Sequence, residues 1–156
     1  METQGWAIRA EELHTKQGQF DVVTCLWNVL GHIAPAASRA EVLRQFARLL
    51  SPPGLIFIDV SHRYNARHYG VLATLLRAIG DYVLPNNRTG DVVAHWVVDG
   101  IRYATDGHVF THSEFRALAQ AAGLTIKKTF SVDYATGRIR ESRFAGHLLY
   151  VLQRDV

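Results

Sequence analysis

Residues 20–33 read FDVVTCLWNVLGHI. The first six form an apolar run whose Val22, Val23 and Cys25 fall on both faces of an extended chain, the near-continuous pattern of a strand covered by helices on both sides. Such a strand is expected at the centre of a sheet. The run then breaks into small and polar residues, with Asn28 and His32 just past its carboxyl end, where open α/β sheets place their ligands. A helical segment follows Ile33, then Pro52-Pro53-Gly54, then a second buried strand, LIFIDV at 55–60, which leads into Ser61, His62, Arg63 and Tyr64. A right-handed strand–helix–strand crossover puts both carboxyl ends on one rim of the sheet. Asn28, His32, Arg63 and Tyr64 are therefore expected to converge.

The rest of the chain extends this pattern. Ser38 and Glu41 have the spacing of a capping box, and Val42, Leu43, Phe46, Leu49 and Leu50 recur at helical spacing behind it. Arg39, Arg44 and Arg48 lie mainly off that stripe and are read as solvated. The Pro-Pro-Gly run ends the helix and turns the chain. Residues 62–80 read as a loop and an amphipathic helix, its stripe formed by Val71, Leu72, Leu75, Leu76 and Ile79, with Gly80 near its end. Residues 92–110 read as hairpin material, turning at Asp99-Gly100 and again at Asp106-Gly107, with Trp96 and Tyr103 packing across it. Thr111 and Glu114 form a second capping box before Phe115, Leu118, Ala119 and Ala122, and Gly123 stops that helix. Residues 124–132 and 143–154 read as two strands of a long hairpin separated by DYATGRIRES, and residues 6–9 as a short strand near the start.

FDVVTCLWNVLGHI followed by LRQFARLLSPPGLIFIDVSHRYN resembles the fourth and fifth strands of a class I S-adenosylmethionine-dependent methyltransferase, closest in motif to the glycine N-methyltransferase type. DGHVFTHSEFRALAQAAGLTI and AGHLLYVLQR are similar to its last helix and last two strands. The resemblance implies an α/β, Rossmann-like methyltransferase sheet with strand order 3-2-1-4-5-7-6. It lacks the first two strands and carries a small antiparallel hairpin insertion, so that residues 1–156 form a single truncated domain with 88–110 as a cover over a substrate cavity. It implies S-adenosylmethionine as cofactor, with the backbone of Leu26 and the residue Asn28 beside its methionine part. It implies substrate contacts at Asn28, His32, Arg63 and Tyr64, the arginine gripping a carboxylate, and a parent activity on a small-molecule amine or acid. Arg9 stands where the family has an acidic residue near the adenine. No G-x-G occurs in the sequence, so the family's glycine-rich cofactor loop is missing and cofactor binding by the lone chain is expected to be weak or absent. Methyl transfer from a sulfonium mainly requires in-line alignment and exclusion of water, so no catalytic acid–base residue is expected.

Composition narrows the alternatives. The formal charge of +3 over 156 residues comes from basic side chains spread along the chain, without the dense Lys/Arg block of a nucleic-acid surface. The single cysteine, Cys25, rules out an intrachain disulfide and suits a reducing compartment, the cytoplasm. No apolar run approaches the ~20 residues of a membrane span. His108 and His112 have zincin spacing but straddle a strand and a loop, and no metal site is expected. Neither Ser61 nor Ser113 sits in a nucleophile elbow, and Cys25 lies in a buried strand. The reading from a different class is a non-catalytic assembly or interaction domain, or one half of a split methyltransferase. Deleting the first two strands turns 20–25 into an unblunted apolar edge, from which a homodimer, or a partner chain covering that edge, is expected.

Overall fold

The computed structural model describes residues 17–84, 89–140, 144 and 146–155. The expected strand at 6–9 and Arg9 lie outside them. The described chain runs β1 (Phe20–Cys25), a 3-10 turn (Val29–His32), α1 (Ala36–Leu49), β2 (Leu50–Val60), α2 (Ala66–Tyr69), α3 (Val71–Val83), β3 (Asp91–Val98), β4 (Ile101–His108), α4 (His112–Ala121), β5 (Leu124–Asp133), β6 (Arg138–Arg140) and β7 (His147–Arg154).

Five strands form one sheet in the order β1-β2-β7-β5-β6, and β3 and β4 form a separate two-stranded sheet. β1 and β2 are parallel, whereas β7 lies antiparallel between β2 and β5. This reproduces the 4-5-7-6 part of the expected order. Because β1 and β2 are joined through α1, their carboxyl ends share one rim, where the turn after β1 and residues 61–64 emerge.

The core lies on one face of the sheet. Leu43 and Ala47 of α1, Phe115 and Ala119 of α4, and Ile56, Ile58, Leu148, Tyr150 and Leu152 from the strands are all buried in one cluster. Phe115 stacks on Tyr150 with ring centroids 4.0 Å apart. Alternation along the strands sends their other side chains to the second face. There the expectation of a doubly covered β1 fails. Among the described residues β1 pairs only with β2, and Val22 is 52 % exposed while Cys25 is buried. Cys25 lies opposite Ile58 in the register and so shares the covered face; Val22, opposite Leu55, does not.

Several local readings also change. α1 begins at Ala36 with Pro35 in the cap position, so Ser38 lies inside the helix and makes no side-chain cap. Glu41 instead binds Arg44 and Gln45. The Pro-Pro-Gly run falls within β2, in a bulge that separates the pairs Phe20–Leu50 and Val22–Leu55. α3 continues through Gly80 to Val83. Asp99 and Gly100 form the tight hairpin turn as read, both at positive φ, 52° and 77°. Asp106 and Gly107 do not turn but pair with Val93 and Val92 inside β4. β6, three residues long, pairs with β5 within the stretch read as a connection. The Thr111–Glu114 capping box is present, with the Thr111 hydroxyl accepting from the Glu114 N–H.

Candidate functional site

The rim is assembled by one short side chain. Asn28 follows β1 at φ 54° and ψ 27°, a left-handed conformation that asparagine tolerates better than most residues. Its carboxamide oxygen accepts the Ser61 N–H at 2.9 Å, and its amide nitrogen donates to the His108 carbonyl at 3.3 Å. Three chain segments, after β1, after β2 and at the end of β4, are thus joined through Asn28. A side chain on Gly31 would strike both the Asn28 carboxamide and the His108 carbonyl, so the clamp requires glycine there. Asp59, 2 % exposed, lies under the Trp27 and Asn28 backbone without reaching hydrogen-bond geometry. Burial raises its carboxyl above the usual range against the pull of those backbone groups.

Beside the clamp opens a cleft of about 610 Å³ between the turn after β1, the start of α1 and the base of the hairpin. His32, Arg39, Asp91, His108 and Glu114 line it. His32 is exposed and directs Nδ1 to the Asp106 carbonyl at 3.0 Å, so it pins the hairpin to the turn. His108 is buried, with Nδ1 2.8 Å from Asp91 and Nε2 2.5 Å from Glu114. Burial alone would raise the Glu114 carboxyl, but the His108 hydrogen bond and the Arg63 charge outweigh it and hold it below the usual glutamate range. Arg39, read as solvated, is buried. Its Nε donates to the Ile33 carbonyl at 2.9 Å, and its guanidinium carbon lies 5.7 Å from the centre of the Phe110 ring.

Arg63 and Tyr64 take a different direction. The Arg63 side chain is 7 % exposed, and its guanidinium meets Glu114 at 2.7 Å, Asp81 at 3.5 Å, and the carbonyls of Thr89 and Val109 at 2.6 and 3.0 Å. Gly90, at φ +108°, leaves the space that this guanidinium fills. The Tyr64 hydroxyl donates to Asp81 at 2.9 Å, and burial, then this carboxylate, raises its pKa. Both residues therefore grip α3, and Arg63 also holds the segments at the two ends of the hairpin. Arg63 borders a smaller cleft of about 310 Å³, separated from the first by Asp91 and Val92, which line both. The expected convergence is thus a network rather than a single cavity: Asn28 and His32 hold one cleft, Arg63 the other, and Glu114 links Arg63 to His108.

Leu26 and Trp27 stand open at the β1 end, 43 % and 77 % exposed. Burial pushes the Cys25 thiol up to about 11. His108 and His112 diverge, the second directing Nδ1 to the Tyr150 hydroxyl at 3.1 Å. Among the described residues no group of three or more His, Cys, Asp or Glu side chains could hold a metal ion, and no helix is long and apolar enough to cross a membrane. The residues that sequence reasoning missed are Asp91, His108, Glu114 and Arg39. Only Glu114 carried a signal, as a capping residue, and its second role depends on partners 6 and 51 positions away.

A family profile described as a methyltransferase domain matches residues 4–129. The chain is 32 % identical over 139 residues to the ubiquinone biosynthesis O-methyltransferase of Aeromonas salmonicida, covering 86 % of this chain and 48 % of that protein. It thus spans about half the length of the curated relative. Among solved structures, the CcbJ methyltransferase of Streptomyces caelestis superimposes with a TM-score of 0.62 at 15 % identity, over 86 % of this chain and 60 % of that one. The 1,6-didemethyltoxoflavin-N1-methyltransferase of Burkholderia thailandensis, solved with 1,6-didemethyltoxoflavin and S-adenosylhomocysteine, gives 0.53 at 16 % identity, over 90 % and 46 %.

Proposed function

The chain belongs to the methyltransferase domain family, and we propose that it forms the acceptor-substrate side of an S-adenosylmethionine-dependent enzyme acting on a small molecule. The observation that carries this reading is the cleft at the carboxyl ends of two parallel strands, walled by the turn after β1 and covered by the base of the β3–β4 hairpin. The curated relative is named for transfer to oxygen, which favours a hydroxyl or carboxyl acceptor over an amine.

The residues present fit one end of the cofactor. The exposed residues Leu26 and Trp27, the second with its backbone against the buried Asp59, suit its methionine part, whereas the sequence supplies no glycine-rich cradle. When bound, the cofactor would supply an electrophilic methyl group. The chain's own contribution is positional. Asn28 fixes the rim, His32 and His108 fix the hairpin over the cleft, and the charges of Arg39, Asp91 and Glu114 orient a polar acceptor while the hairpin excludes water. Arg63 and Tyr64 act behind the site by holding Glu114 and α3. The buried lone cysteine suits work in the cytoplasm.

A second reading, a non-catalytic assembly domain or one half of a split methyltransferase, is favoured by the open apolar faces. Isothermal titration with S-adenosylmethionine and S-adenosylhomocysteine separates the two. Micromolar binding supports the enzyme, and absence of heat at millimolar ligand leaves assembly.

A further inference from the structure

α3 is built inside out. Its polar positions Thr74, Arg77 and Asp81 share one side and face the protein. Thr74 is buried; Arg77 lies 4.4 Å from the centre of the Tyr69 ring and donates to the Arg63 carbonyl; Asp81 accepts from Tyr64 and pairs with Arg63. At about 100° per residue, Leu72, Leu75, Leu76, Ile79 and Val83 fall on the opposite side with Val71 and Tyr82 at its margin. All seven are more than half exposed. A surface helix of a soluble protein ordinarily does the reverse. From the sizes of those side chains, the stripe exposes roughly 800 Å², more than the ~300–600 Å² of the largest patch on a typical monomer and close to the ~800 Å² that each partner gives to a stable interface.

We propose that α3 is the self-association surface of this protein, packing against α3 of a second copy across a two-fold axis. A two-fold interface sets a patch against itself. An uncharged apolar stripe meets that condition, whereas a charged one would oppose like to like. The helix's two charges, Arg77 and Asp81, are both turned inward and partnered. The stripe therefore lacks the basic fringe by which an interfacial helix meets anionic headgroups, and this favours a protein partner over a lipid surface. The β1 edge, expected from the sequence to carry the contact, contributes only Val22 as an exposed large apolar side chain. The larger area lies on α3. The proposal is independent of the catalytic reading.

Light scattering at low micromolar concentration, on the full chain and three variants, tests it. The parent chain and Val22→Lys should show the mass of a dimer, Leu76→Glu that of a monomer with unchanged circular dichroism. Leu76→Cys should give a disulfide-linked dimer on mild oxidation, against little background because Cys25 is buried. If Leu76→Glu fails to fold, the cross-link decides. A monomeric parent chain, dissociation by Val22→Lys alone, or no cross-link would overturn the proposal. So would a monomer that floats with phosphatidylglycerol-containing vesicles, which would assign the stripe to lipid.

Discussion

Asn28 closes the rim with two hydrogen bonds. Asn28→Ala leaves the Ser61 N–H and the His108 carbonyl without this partner, and an unmet buried polar group costs about 1–3 kcal/mol. Urea unfolding should show a loss in that range with a folded baseline intact, and any methyl transfer by the assembled enzyme should fall with it. Glu114 is bound by both Arg63 and His108. Glu114→Gln keeps its shape and removes its charge. The loss should be on the order of 2 kcal/mol, below the ~3–5 kcal/mol of a fully buried pair because this carboxylate is partly open to the cleft. Thermal unfolding of the variant measures it. At this scale the sequence placed Asn28 and His32 just past the end of a parallel strand, and that is where they stand. It could not show that the Arg63 guanidinium is occupied, because its partners come from α3, α4 and the hairpin, whose packing against residue 63 leaves no trace in local periodicity.

The elements were legible wherever local chemistry alone decides them. Asp99-Gly100 turns the hairpin since both residues accept positive φ, and Thr111 caps α4 through a hydroxyl three residues from its partner. The readings that changed depend on the surroundings. Pro52-Pro53-Gly54 reads as a terminator, yet the chain resumes pairing on both sides of it, and the run becomes a bulge inside β2. β1 has the composition of a covered strand, and burial depends on what lies over it. The hairpin is held to the body through His108, which reaches Glu114 of α4 from the end of β4, and through His32 across the cleft. Asp91→Asn weakens the charge-assisted cross-strand bond that orients the His108 ring toward Glu114. Hydrogen exchange should then quicken in β3 and β4 by severalfold while α1 and α4 keep their protection. Equal acceleration throughout the chain would show that the hairpin does not open as a separate unit.

For the molecule as a whole, acid sensitivity follows from buried histidines. Burial, then the nearby charges of His112, His147 and Arg63, brings His62 down to about 4, and burial also lowers His147. Both are neutral in the folded protein where the unfolded chain would already be protonated. Their contribution is therefore complete above the unfolded value near 6.5 and is lost as pH falls toward 4, by on the order of 2 kcal/mol for His62. Asp59, with its raised carboxyl, acts in the opposite sense as pH falls through that raised value toward the usual aspartate range. Urea midpoints should be level from pH 8 to 7 and decline between 6.5 and 4, and His62→Phe should flatten that decline. The proposed function puts a cofactor end at Leu26 and Trp27 and an acceptor side beneath the hairpin. Backbone amide spectra of the full chain titrated with S-adenosylhomocysteine test this most directly. Shifts concentrated at residues 26–28, 32 and 107–108 are expected; an unchanged spectrum at millimolar ligand, or shifts confined to α3 or to β5 and β6, would contradict the proposed function.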